Sequence, residues 1–134
     1  MTATMDSVPS DRVEAMDLAT NALKYASRAQ HEDHNPSHSD WRALHAGVVH
    51  SLQHLIELTE VLARQMPHYG SDKILCADNA EQGGNPYRQI IEAACLTSET
   101  KHHLERARQA AHRSWAHIRH VDVAADPNLV IAED

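Results

Sequence analysis

Hydrophobic residues recur along most of this chain at the three- and four-residue spacing of amphipathic helices. The first such segment covers residues 10–30 and carries two apolar stripes. One stripe contains Val13, Met16, Thr20, Leu23 and Ser27, and the other contains Leu18, Ala22, Tyr25 and Ala29. Ser10 is the expected N-cap, because its hydroxyl can accept a hydrogen bond from a free backbone N–H of the first turn. We therefore predict a first helix that is covered on two sides.

A single long stripe predicts a second helix over residues 41–66, with Ser39 or Asp40 as its N-cap. The stripe contains Leu44, Val48, Leu52, Leu55, Thr59, Leu62 and Met66. The preceding segment, residues 31–39, contains an Asn-Pro pair that is typical of a loop. Pro67 ends the helix, because proline disrupts a helix interior.

The third helix begins at Asn85-Pro86, a capping side chain followed by proline at the first helical position. It continues to about His120, which makes it the longest element of the chain. Its stripe contains Ile90, Ala94, Thr97, Leu104, Ala107, Ala111, Trp115 and Ile118. The connector before it is long for a helix–helix connection, and Ser71 can cap a short helix over residues 71–81.

These elements predict an all-α fold, an antiparallel bundle of three long helices plus a short connector helix. Residues 10–121 form the single predicted domain, between a disordered segment at 1–9 and a loose acidic tail at 122–134. Much of the apolar content is alanine, which buries little surface. Such a bundle has a weak core of its own, so we expect a homodimer that completes it.

Composition narrows the environment and the partners. The formal net charge is −7 with histidine neutral, so general affinity for nucleic acid is not expected. No apolar run has the length of a membrane span, and the N-terminus does not resemble a signal peptide. The two cysteines, Cys76 and Cys95, form neither a disulfide framework nor a zinc-ligand pattern. We therefore expect a cytoplasmic protein without a membrane partner. Nine arginines against three lysines favour a GC-rich bacterial or phage genome.

Twelve histidines are the least ordinary feature of the composition. Eleven fall in two groups, within residues 31–54 and 102–120. If Met66 lies level with Ile90 in the antiparallel pair, these groups approach each other along helices two and three. Trp41 then lies near Trp115, and His45 lies near His112.

This pairing makes one candidate metal site. Imidazole and carboxylate ligands suit zinc, iron or manganese, and Glu-x-x-His steps line metal sites in helical bundles. The candidate ligands are His50, His54, Glu57, Glu99 and His102. They lie away from the apolar stripes, which favours a surface or interface position over an interior centre.

A second candidate is ribonuclease chemistry. Arg106 precedes His112, and Arg113 precedes His120, at spacings that resemble the Arg-x(4–6)-His signature of HEPN-type helical nucleases. The resemblance is confined to this signature and implies that two such motifs meet across a dimer. In RNA cleavage by such an enzyme, arginine would neutralise phosphate charge and histidine would transfer a proton.

The polar face of helix three is the candidate interaction surface. It comprises His102, Arg106, Arg113, His117 and His120. Long amphipathic helices without a convergent catalytic set favour a non-enzymatic bacterial or phage accessory protein that acts as a helical protein-interaction module, with no cofactor. The His/Glu metal-binding bundle and the HEPN-like ribonuclease remain the alternatives.

Overall fold

A computed structural model describes residues 11–69 and 85–121, and these residues form helices and no strand. Helix α1 is Arg12–Glu32, α2 is His38–Gln65 and α3 is Pro86–Ile118. A short 3-10 turn, Met66–His68, directly follows α2. The all-helical class with three long helices is thus confirmed, whereas the three-helix bundle and the dimer remain predictions.

Several predicted segments lie outside the described residues. These are the disordered N-terminus at 1–9, the connector helix at 71–81 and the acidic tail at 122–134. The chain divides into two units, Met1–Ser37 and His38–Asp134, and each is considered separately below. The single domain over residues 10–121 stays a prediction.

Helix α1 is an amphipathic helix without a buried residue. Its N-cap is Asp11 rather than the predicted Ser10, and the Asp11 carboxylate accepts a hydrogen bond from the backbone N–H of Glu14 at 2.8 Å. The carboxylate is the better cap, because it also interacts favourably with the positive end of the helix dipole. The predicted cover on two sides is not confirmed, since Val13, Leu23 and Tyr25 are all exposed.

Helices α2 and α3 pack against each other as an antiparallel hairpin. The seam between them follows a seven-residue repeat, which is the pattern of a coiled coil. On α2 the buried and half-buried members of the seam are Arg42, His45, Val49, Leu52, Ile56, Thr59, Ala63 and Met66. On α3 they are Ile90, Ala94, Thr97, Lys101, Leu104, Arg108, Ala111, Trp115 and Ile118. Ile56 and Ala94, only 6% and 8% exposed, are the most buried described side chains.

The stripe predicted for α2 is wrong in part. Leu52, Thr59 and Met66 lie in the seam as predicted, but Leu44, Val48 and Leu62 are exposed. The predicted stripe has the 3.6-residue period of a straight helix, whereas the seam has the 3.5-residue period of two helices that coil around each other. The predicted stripe therefore mixes residues of two neighbouring rows on α2. One row is the seam, and the other contains the exposed Leu44, Val48 and Leu62.

The stripe predicted for α3 is confirmed except at Ala107, which is exposed. Asn85 caps this helix as predicted, because its side-chain oxygen accepts hydrogen bonds from the backbone N–H groups of Tyr87 and Arg88 at 3.0 and 3.4 Å. Helix α2 begins at His38, so Ser39 and Asp40 lie inside its first turn and are not its N-cap.

Candidate functional site

The hairpin register separates the groups that the sequence placed together. Thr97 Oγ1 lies 3.7 Å from Met66 Sδ, so Met66 meets a residue seven positions further along α3 than Ile90. Lys101 Nζ lies 3.9 Å from Glu60 Oε1, five positions beyond the residue that the predicted register sets opposite Glu60, and His38 reaches Val121, three positions beyond its predicted partner. These contacts displace the predicted cross-helix pairs by three to seven residues, which is about 5 to 10 Å along a helix.

The five candidate metal ligands consequently do not converge. His54 Nδ1 lies 3.3 Å from Glu57 Oε2 on α2, and His102 Nδ1 lies 3.7 Å from Glu105 Oε2 on α3. Glu99 lies 3.6 Å from the Nε2 atom of His103. Each of these pairs belongs to one helix and is largely exposed, as is His50. In the parts of the chain that the structure describes, no three His, Cys, Asp or Glu side chains are grouped to hold a metal ion.

Glu57 is the described residue with the clearest electrostatic perturbation. Gln53 Nε2 donates a hydrogen bond to Glu57 Oε1 at 3.2 Å, and His54 approaches the other carboxylate oxygen. The Gln53 hydrogen bond, followed by that of His54, lowers the pKa of Glu57 below its ordinary value of 4.5. Glu57 thus has partners on its own helix, which explains its position without a metal ion.

The two predicted ribonuclease motifs are also spread along one helix. Arg106 and Arg113 are exposed on α3 and lie seven residues, or about 10 Å, apart, and His120 follows after seven more residues in the turn beyond the helix. His112 lies around the helix from them and packs beside Trp115, with 6.0 Å between ring centroids. The Arg106 guanidinium donates to His103 Nδ1 at 2.7 Å rather than to His112. Whether two motifs meet across a dimer stays a prediction.

The predicted interaction surface is exposed in full. Four of its members lie on the part of α3 that does not face α2, namely His102, Arg106, Arg113 and His117, and His120 lies in the turn that follows the helix. Toward the C-terminal end of α3, a shallow open depression of about 360 Å³ is lined by Arg108, Gln109, His112 and Arg113.

Aromatic and imidazole rings gather where the first turns of α2 meet the last turns of α3. Trp41 lies between His38 and His45, with ring centroids 6.2 and 5.0 Å away. On the other helix, the Arg119 guanidinium lies 5.0 Å from the centre of the Trp115 ring. The His38 ring N–H donates to the carbonyl of Val121, which ties the two helix ends together.

The same end of the hairpin is strongly basic. We define the basic end as residues 38–53 of α2 together with residues 106–121 on α3 and its C-terminal turn. It contains five arginines and a single carboxylate, Asp40. The rest of the described hairpin contains five glutamates and three Lys or Arg residues. Sequence reasoning identified the α3 arginines but missed this separation of charge, because it depends on which part of α2 lies beside them.

Comparison with protein-family models, with curated proteins and with solved structures found no match for this chain. None of the described helices has both the length and the apolar character needed to cross a membrane. Inference about function therefore depends on the chemistry of the hairpin surface.

Proposed function

We propose that this protein is a non-enzymatic helical interaction module that assembles with a second copy of itself. The observation that carries this proposal is a second apolar row on α2, beside the seam. The row consists of Leu44, Val48, Leu55, Leu58 and Leu62; Val48 is 51% exposed, and only Leu55 is half-buried. Exposed apolar rows of this length on a helix are typical of surfaces that bind another helix.

The spacing of the outer apolar row supports a second helix of the same kind as its occupant. Leu44 and Leu58, and likewise Val48, Leu55 and Leu62, are separated by seven or fourteen residues, the repeat that knobs-into-holes packing requires. Helices with this repeat favour a partner with the same repeat. A second copy of the chain carries the same row and is therefore such a partner.

The row is also symmetric about its own midpoint. In an antiparallel pair of α2 helices related by a two-fold axis, Leu44 of one copy would lie opposite Leu62 of the other, and Val48 opposite Leu58. Leu55 would then lie opposite the small Ser51. No charged side chain belongs to the row, so its burial carries no penalty from an unpaired charge.

The experiment is sedimentation equilibrium of the full chain and of Val48→Glu/Leu58→Glu. Two glutamates retain helix propensity but place four charges in the dimer contact. The parent should sediment as a dimer at micromolar concentration, and the variant should sediment as a monomer with unchanged helical circular dichroism. Ile91→Glu/Leu96→Glu on α3 is the matched control, because it removes two exposed apolar side chains and adds the same charge.

A monomeric parent over the whole concentration range would overturn the proposal, as would equal effects of the two glutamate variants. If Val48→Glu/Leu58→Glu loses helicity, the smaller Val48→Ala/Leu58→Ala change replaces it. This variant should weaken the dimer by about tenfold or more, because it removes apolar contacts from both copies.

A further inference from the structure

The basic end of the hairpin carries the chemistry of a nucleic-acid site, although the chain as a whole is acidic. We propose that it binds single-stranded polynucleotide, with arginines on the phosphates and side-chain rings beside the bases. This site uses α3 and the end of the hairpin, and it does not depend on the dimer contact of α2.

Charge separation along the hairpin makes such binding physically reasonable. Helix α3 has 33 residues, so it is about 50 Å long, whereas electrostatic interactions in physiological salt are screened over about 8 Å. The glutamates all lie more than about 10 Å along the hairpin from Arg113. Glu105 is nearer to Arg108, one turn away, but it lies within ion-pair distance of Lys101 and His102. Among the described residues of this end, a phosphate meets five arginines and one aspartate rather than the net charge of the molecule.

Two arginines of the basic end are available to an anion. Arg108 and Arg113 line the shallow depression and form no ion pair with any carboxylate in the described parts of the chain. By contrast, Lys101 near the middle of α3 lies within ion-pair distance of both Glu60 and Glu105. One guanidinium group can donate two parallel hydrogen bonds to the oxygens of a phosphate. Gln109, which also lines the depression, adds an amide hydrogen-bond donor.

The rings distinguish polynucleotide from an acidic protein segment. Bases stack on aromatic rings and on guanidinium planes. The exposed His112 ring, beside the half-buried Trp115, and the Arg119 guanidinium over the Trp115 ring present both kinds of surface. An acidic peptide needs the positive charge but gains little from stacking. The combination of unpaired arginines with this ring cluster therefore favours single-stranded nucleic acid.

The test is fluorescence anisotropy of the full chain with fluorescein-labelled oligouridylate and oligothymidylate of twenty nucleotides, at several salt concentrations. Arg108→Gln/Arg113→Gln should weaken binding by about tenfold or more, because two phosphate contacts are lost. It should also reduce the slope of log affinity against log salt by about 1.4, or 0.7 for each contact. Arg64→Gln/Arg88→Gln, which removes the same charge outside the basic end, should change affinity less than about twofold.

Stacking is measured separately in a Trp41→Phe background, where Trp115 is the remaining tryptophan. Oligonucleotide binding should quench its fluorescence, and poly-glutamate should not. Comparison of the two oligonucleotides shows whether RNA or DNA is preferred.

Three results would overturn the proposal. One is the absence of oligonucleotide binding at low salt. Another is an equal loss of affinity in the two arginine variants, which would indicate a general charge effect. The third is tighter binding of poly-glutamate than of either oligonucleotide, which would identify an acidic protein segment as the ligand.

Discussion

Several histidines of α2 and α3 interact with side chains or carbonyl groups of their own helix. His54 pairs with Glu57 one turn away, and His45 Nδ1–H donates to the backbone carbonyl of Trp41 at 2.9 Å. On α3, His103 lies between Glu99 and Arg106 in the same local way. These imidazoles therefore find partners on their own helix, at the three- and four-residue spacings that bring helical side chains together.

The pKa of Glu57 gives a prediction at this scale. Gln53→Ala removes the hydrogen bond that most lowers this pKa, so the pKa should rise toward its ordinary value. Because the folded value is lowered, the ionised carboxylate stabilises the native state above pH 4.5, and this contribution is lost as the pH falls through the lowered value. Carbon-13 NMR titration of the Glu57 carboxyl measures the change.

Gln65→Ala makes the same substitution at the other end of α2 and should leave the Glu57 titration unchanged. If Gln53→Ala also leaves it unchanged, the hydrogen bond does not control the pKa.

At the scale of the element, α2 is a helix with two neighbouring apolar rows and one partner within its hairpin. The seam row meets α3, and the outer apolar row is left exposed. The seam buries little apolar surface, because alanine, threonine, lysine and arginine are among its members. A seam with little buried apolar surface gains little hydrophobic stabilisation. The few large side chains that it buries should therefore contribute most of the stabilisation that the seam provides.

Ile56 is the largest of these buried side chains, and its truncation tests the seam. Ile56→Ala should lower the free energy of unfolding by about 2–4 kcal/mol, because it removes a buried aliphatic group and leaves a cavity. Ile91→Ala, the same substitution at a half-exposed position of α3, should cost less than about 1 kcal/mol. Urea unfolding followed by circular dichroism, at one protein concentration, gives both values. Similar losses in the two variants would contradict the seam described above.

At the scale of the whole molecule, the hairpin register decides which chemistry comes together. With Met66 beside Thr97, the first turns of α2 lie against the arginine-rich end of α3, and the glutamates of both helices lie further along. The register thus concentrates positive charge and rings at one end. It also separates the candidate metal ligands that the predicted register would have brought close.

Cysteine cross-linking measures this register directly. In a Cys76→Ser/Cys95→Ser background, Met66→Cys/Thr97→Cys should form an intramolecular disulfide on mild oxidation, because the two side chains are in contact. Met66→Cys/Ile90→Cys should not, since Ile90 lies about 10 Å away along α3. Mass spectrometry after thiol alkylation distinguishes the two products. Preferential cross-linking of the Ile90 variant would establish the other register.

The sequence by itself determined the three long helices and most of one apolar face. Helical periodicity, the Asn85-Pro86 start and the α3 row from Ile90 to Ile118 are local properties, set by side chains three or four residues apart. The exposed polar face of α3 follows from the same periodicity. These features were predictable because each depends on a short stretch of chain.

Only the tertiary structure decided which row of α2 meets α3 and where along α3 it does so. Two adjacent rows on α2 have similar apolar content, and the 3.6-residue period of an isolated helix does not distinguish them. The register depends on packing between residues about thirty positions apart, such as Met66 and Thr97, whose connection is too long to set it. Packing of the two helices therefore places the arginine-rich end of α3 at the same end of the hairpin as the histidine-rich start of α2.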